Sequence, residues 1–237
     1  MRELHLFAGA GGGILGGMLL GHTPVCAVEI EPYCQEILRA RQRDGILPEF
    51  PIFGDIRAFD GKPWREKVDI VAGGFPCQDI SAAGKGAGID GERSGLWCEM
   101  HRVIGEIRPR FAFLENSPLI ISNGLARIVG QLAEIGYCLR WDCLKCTPYG
   151  INQERRRFYG LAYPMPRNEQ MEWDISRSWR VAKQATQYLA RSPKSEPAMV
   201  GMVDGLAHRM GRLRAIGNGQ VPAVAATAFR ILSQGLT

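Results

Sequence analysis

The 237 residues contain no apolar run approaching the roughly 20 that a membrane-spanning helix needs, so no membrane association is expected. No secretory leader is expected, because Glu3-Leu4-His5-Leu6-Phe7 enters a strand-like segment at once. Seven cysteines without such a leader point to a reducing compartment, where thiols stay free and disulfides are not expected. The sequence has half of a zinc site, Cys143-x-x-Cys146, and no second pair at suitable spacing, so no metal is expected. It has no internal repeat and no low-complexity tract, which excludes solenoids and linkers. It also lacks a large charge imbalance. The net charge of +5 arises from one stretch, 151–216, where twelve Lys and Arg face six Asp and Glu. A local basic excess of this kind suits a polyanion such as nucleic acid, and it equally describes a solvated basic face.

What is present is an ordinary globular composition, 46% hydrophobic and 22% charged, in a chain long enough to bury a substantial core. After the first strand, Ala8-Gly9-Ala10-Gly11-Gly12-Gly13 forms a glycine-rich turn into a helix beginning near Ile14. Val25 to Glu29 reads as a second strand that ends in an acid about twenty residues after the first, where ribose hydroxyls are bound in nucleotide-binding βαβ units. The glycines fit two spacings, a pyrophosphate-type G-x-G-x-x-G and a tighter G-x-G-x-G more often found with S-adenosylmethionine; they also fit a turn that only permits close packing. Ile52 to Ile56 reads as a short strand. Its Asp55-Ile56 pair suits an adenine amino group and ring, and Asp55 equally suits a turn or helix cap.

Val68 to Ala72 is a buried strand leading into Gly73-Gly74-Phe75-Pro76-Cys77-Gln78. Proline stiffens this loop and the glycines let backbone approach something closely. A cysteine presented there is placed as a nucleophile, or is a buried apolar residue in a turn. The glycines continue through Gly91 and read as an active-site loop. Leu96 to Ile107 is expected to be a helix. Arg110 to Leu114 is expected to be a strand with Glu115-Asn116 at its end, where open α/β sheets place ligands. A helix (Leu125 to Ile135), a strand (Tyr137 to Leu144), a basic cluster at 155–157, a strand through Tyr163 and a final helix (Ala223 to Leu232) complete the pattern. If the strand after the basic cluster begins early, Arg155, Arg157 and Tyr159 share one face.

Taken in order, Leu6-Phe7-Ala8-Gly9-Ala10-Gly11-Gly12, Glu29-Ile30-Glu31, Gly54-Asp55-Ile56, Gly74-Phe75-Pro76-Cys77-Gln78, Glu115-Asn116, Gln153 through Arg157, and Gly217-Asn218-Gly219-Gln220-Val221-Pro222 resemble the DNA (cytosine-5)-methyltransferases over essentially the whole chain. The resemblance implies an α/β fold: a doubly wound, mostly parallel, Rossmann-like sheet that binds S-adenosylmethionine, with a small C-terminal recognition segment. It implies a catalytic domain at 1–163, a reduced target-recognition segment at 164–216 and a C-terminal helix at 217–237 returning to the catalytic domain. It assigns Cys77 as the nucleophile that attacks C6 of a flipped-out cytosine, Glu115 as the carboxyl group beside N3, and Arg155 and Arg157 as the pair stabilising the base. Phe7, Gly9, Gly11, Glu29, Ile30, Asp55, Ile56, Pro76, Leu96, Asn218 and Gly219 are implied for the cofactor pocket. Gln78, Ser81, Arg93, Asn116 and Gln153 are implied for the substrate. The implied partner is double-stranded DNA, in a bacterial or phage-infected cytoplasm, with a monomeric enzyme.

Two departures stand out. Ser117-Pro118 follows Glu115-Asn116 where the family usually has a small β-branched residue. Only fifty-nine residues separate Arg157 from Gly217, where the family carries a longer recognition region. Base readout needs several preorganised side chains, so very short sequence specificity, or a protein partner that supplies it, is expected. Three other readings remain open at this level. The same chemistry on tRNA is one, and a catalytically inactive DNA-binding module is another. The third, a nicotinamide dehydrogenase, leaves Cys77 and the arginines unexplained.

Overall fold

A computed structural model describes residues 1–76, 95–145, 156–165 and 219–236. Seven strands form one sheet: β1 (Arg2–Leu6), β2 (Thr23–Val28), β3 (Ile52–Phe53), β4 (Ile70–Gly74), β5 (Phe111–Asn116), β6 (Tyr137–Lys145) and β7 (Arg156–Pro164). Their order is β3-β2-β1-β4-β5-β7-β6. The pairs from β3 through β5 are parallel, whereas β7 runs antiparallel to both β5 and β6. The sheet is therefore mostly parallel, with β7 as its reversed strand. The helices are α1 (Gly12–Leu19), α2 (Pro32–Arg43), α3 (Leu96–Ile107), α4 (Ile120–Asn123), α5 (Leu125–Glu134) and α6 (Pro222–Leu232). No helix among the described residues is long and apolar enough to cross a membrane.

Both faces of the sheet are covered, which is why β1, β4 and β5 read as continuous apolar runs rather than alternating ones. On one face Leu4, Leu6, Val71, Ala112 and Leu114 meet α3 and α5. Helix α3 places Trp97, Met100, Val103, Ile104 and Ile107 there, all fully buried, because spacings of three and four keep them on one stripe. Each such side chain contributes roughly 1.5–3 kcal/mol by leaving water. The helix ends where Arg108 turns left-handed (φ 57°) and Pro109 prevents continuation. On the other face Ile70, Ala72, Phe111, Phe113, Tyr159 and Leu161 meet Val224, Ala225, Ala228 and Phe229 of α6. Pro222 stands in the first turn of α6, where its missing N–H has no intrahelical partner to lose.

Three local differences from the sequence reading have physical causes. Strand β5 does not stop before Glu115 but runs through Asn116, because Glu115 pairs with both β4 and β7 and Asn116 with β7. Strand β3 is only two residues long, and Asp55 lies outside it as the cap of a short 3-10 turn, Ile56–Ala58. Helix α4, a single turn after Pro118, has too few residues to show periodicity in the sequence.

Candidate active site

The glycine turn follows β1 directly. Phe7, Gly9 and Gly11 all have positive φ, at 53°, 55° and 88°. Glycine adopts that region without strain, whereas phenylalanine does so rarely, and such outliers collect at functional sites. The turn is held from the next strand. The buried Glu29 accepts the Gly9 N–H at 2.6 Å on one carboxylate oxygen and the Glu31 N–H at 2.8 Å on the other. Gln35 of α2 donates to the Glu29 carbonyl at 2.6 Å. The strand-end acid is thus the tie between the glycine turn and the ends of β1 and β2.

Around it the apolar residues divide. Ile30 is 61% exposed, and Phe53 at the end of β3 is also exposed. Ile56 is 4% exposed and belongs to the main core, with its carbonyl accepting from Arg102 at 2.8 Å. Asp55 caps the 3-10 turn through the Arg57 N–H at 2.9 Å and pairs with the Arg57 guanidinium at 2.8 Å. The Arg57 hydrogen bond holds the Asp55 carboxyl below its usual range. Leu96 is half-buried at the start of α3, and Pro76 and Gly219 are likewise half-buried.

Across the sheet, alternation puts Glu115 on the face it shares with Phe111 and Phe113, and Arg157 on the face of Tyr159 and Leu161. Glu115 pairs in register with Gly74 on one side and Tyr159 on the other. Arg157, two residues before Tyr159, is its diagonal neighbour, and the Arg157 Nε–Glu115 Oε1 distance is 3.1 Å. The carboxylate is 9% exposed and the guanidinium 28%. Asn116 points to the opposite face. Its amide donates to the Phe75 carbonyl at 3.1 Å and accepts the Ser117 N–H at 2.7 Å. That side chain therefore fastens the root of the Pro76 loop to β5.

Cys77, Gln78, Ser81, Arg93, Gln153, Arg155 and Asn218 lie outside the described residues. Among the described cysteines, burial pushes the Cys26 thiol up to about 12 and the Cys34 thiol up to about 11, which removes both as nucleophiles at neutral pH.

Sequence reasoning gave no role to two polar groups on the α1–α6 face. Glu3 is buried on β1 and bonded to His5 Nε2 at 3.0 Å and His22 Nδ1 at 2.7 Å. Gln220 lies against the glycine turn. A Cβ on Gly12 would stand 2.1 Å from the Gln220 carbonyl oxygen, and one on Gly13 would stand 2.8 Å from Gln220 Oε1. A Cβ on Gly74 would stand 2.6 Å from Glu115 Oε2 and 3.2 Å from Gln220 Nε2. None of these three glycines has positive φ. Adjacent glycines at the start of α1 and the end of β4 were the available signal, and Gly12, Gly13 and Gly74 admit no side chain because Gln220 and Glu115 fill the space.

Comparison with known proteins places this arrangement. A model of C-5 cytosine-specific DNA methylases matches residues 1–204. The chain is 33% identical over 162 residues to the Type II methyltransferase M.CviJI of Paramecium bursaria Chlorella virus IL3A, covering 68% of this chain and 42% of that protein. It is 35% identical over 182 residues to M.NgoMIV of Neisseria gonorrhoeae, covering 71% and 56%. The chain thus spans about half the length of these relatives. Among solved structures, the Entamoeba histolytica methyltransferase EhMeth superposes with a TM-score of 0.68 at 14% identity, over 100% of this chain and 99% of that one.

Proposed function

The chain belongs to the C-5 cytosine-specific DNA methylase family, and on that basis we propose that it transfers a methyl group from S-adenosylmethionine to C5 of cytosine in duplex DNA. The observation that carries this reading is the Glu115–Arg157 pair at 3.1 Å, set on the same sheet as the Glu29-anchored glycine turn.

The described residues fit the cofactor. A carboxylate offers about four acceptor positions; Glu29 uses two on backbone N–H groups, leaving capacity for ribose hydroxyls. Exposed Ile30 supplies an apolar surface for the adenine ring, and a Cβ on Gly9 would meet nothing within 4 Å, so ligand approach there is open. Phe7, Gly11, Asp55, Pro76, Leu96, Asn218 and Gly219 complete the proposed pocket. Ile56, being in the core, would contribute backbone only. When bound, S-adenosylmethionine supplies the electrophilic methyl group.

The protein's part is to make C5 nucleophilic. The Cys77 thiolate forms a bond to C6, and the electron pair of the C5–C6 double bond becomes available at C5. Glu115 holds a proton at N3, so the ring does not carry a full negative charge. Arg157, with Arg155, stabilises the base and fixes the carboxyl group. C5 takes the methyl group as its bond to the sulfonium sulfur breaks, leaving a thioether; the C5 proton then passes to water, the double bond re-forms and the thiolate leaves. The base must be out of the stack for this, with Gln78, Ser81, Arg93, Asn116 and Gln153 as proposed contacts. Residues 1–163 with the 217–237 helix form the proposed catalytic unit. The 164–216 segment is the reduced recognition element, with sequence specificity short or supplied by a partner protein.

The test is tritium transfer from labelled cofactor to duplex DNA and, separately, to tRNA. Label in duplex DNA at C5 of cytosine is expected. Label confined to tRNA would overturn the substrate, and none in either would overturn the activity.

A further inference from the structure

We infer that Gln220 is a positioning residue for Glu115, its side-chain amide setting the protonation of that carboxyl group from the side opposite Arg157. The catalytic meaning of this inference rests on the methyltransferase reading; the placement of both side chains over Gly74 does not.

The argument begins with space. Gly12, Gly13 and Gly74 are glycines without a conformational need for glycine, since none has positive φ. At each, a Cβ would come within 3 Å of an atom of Gln220 or Glu115, closer than real Cβ contacts allow. The sequence therefore clears three side chains from one small volume, and the group that fills it from the C-terminal segment is Gln220. The backbone of Gln220 is seated on Gly12 and its Oε1 on Gly13. That leaves Nε2 directed at Gly74, over the same point as Glu115 Oε2.

The chemistry of the two groups matches this placement. An ionised carboxylate only accepts, and an amide nitrogen only donates. Oε1 of Glu115 is held by the charged Arg157, whereas Oε2 and the amide nitrogen of Gln220 lie 2.6 and 3.2 Å from the same point, the Cβ position of Gly74. A neutral amide favours the ionised form less strongly than a cation does, so its part is to tune how readily the carboxyl group holds or releases a proton at N3. Gln220 also follows Gly219 in the proposed cofactor pocket, so seating that segment brings the amide to the carboxyl group.

The test is a nuclear magnetic resonance titration of the full chain with labelled glutamate carboxyl and glutamine amide groups, without DNA. In the wild type, the Gln220 side-chain amide resonances are expected to move with the same midpoint as the Glu115 carboxyl. Gln220→Glu, which sets a like charge beside Glu115, is expected to raise that midpoint by about one pH unit, and Gln220→Met, which removes the donor, by roughly half a unit. Gln220 resonances that stay still through the Glu115 midpoint would overturn the inference, and that wild-type measurement does not depend on a variant folding. Where methyl transfer is measured, the pH profile of kcat in Gln220→Met is expected to shift with the carboxyl midpoint. A lowered rate with an unshifted profile would mark Gln220 as structural only. Coupled titrations in a protein that methylates nothing would overturn the function and leave the contact standing.

Discussion

Arg157 reaches Glu115 across two antiparallel strands, Nε to Oε1 at 3.1 Å, because β7 is the reversed strand beside β5 and their register makes the two residues diagonal neighbours. A partly exposed cation is thereby fixed to a nearly buried carboxylate. Glu115→Gln is expected to lower kcat for methyl transfer by about 10²–10⁴, the usual contribution of a positioned acid or base. Cofactor affinity is expected to stay within about twofold, because the bonds by which Glu29 holds the glycine turn run to Gly9 and Glu31 and not to Glu115. Residues in one contact are not additive, so the Glu115→Gln, Arg157→Lys double variant should be little slower than Glu115→Gln alone. Fully multiplicative losses would show that the pair does not act as a unit.

Glu29 organises the glycine turn through two backbone N–H groups, from Gly9 and Glu31. In Glu29→Gln one of the two oxygens becomes a donor facing a donor. Calorimetric titration with S-adenosylmethionine should show roughly tenfold weaker binding, about 1.4 kcal/mol. Unchanged affinity would mean that the turn is held by other contacts.

Two glycine substitutions of the same chemistry should act in opposite directions. Gly12→Ala puts a methyl group 2.1 Å from the Gln220 carbonyl oxygen and should cost about 1–3 kcal/mol through overpacking. Gly130 in α5 has nothing within 4 Å of its Cβ position, so Gly130→Ala should stabilise by about 0.5–1 kcal/mol. Thermal unfolding reads both, as a lowered Tm for the first and a raised one for the second.

The buried Glu3 has a distinct acid signature. Burial alone would raise its pKa, but hydrogen bonds with His22 and His5 outweigh this and bring it to about 2, against a reference value of 4.5. A native pKa below the unfolded one means the stabilisation is fully present above about pH 4.5 and is lost as pH falls towards 2. Its size is on the order of 3 kcal/mol. In urea unfolding, the stability advantage of wild type over Glu3→Gln should therefore shrink between pH 5 and pH 3. An advantage that stays constant over that range would contradict the assignment.

Much of the fold was legible because the strands are apolar runs ended by glycine, proline or an acid. Leu96 to Ile107 was read to the residue because its apolar stripe has helical spacing and Pro109 marks its end. Glu29 was found from its distance along the chain after β1, and Glu115 and Arg157 from the order of short motifs. That the last two touch is a matter of strand direction, which no local pattern carries; the reversal of β7 decides it. Ile56 was placed in the cofactor pocket, but its burial in the core depends on α3 packing beneath it. Gln220 stands in the last of the short motifs, and its place beside the glycine turn is not legible there because its neighbours lie at residues 12, 13 and 74.

The central claim, cytosine methylation through a covalent intermediate, is tested most directly by trapping. Release of the enzyme requires loss of a proton from C5, which fluorine at that position prevents. Duplex DNA of random sequence carrying 5-fluorocytosine, incubated with S-adenosylmethionine and the protein, should yield a protein–DNA species that survives denaturation and is absent with Cys77→Ser. A wild-type protein that binds this DNA and forms no such species, or an adduct that persists in Cys77→Ser, would contradict the account.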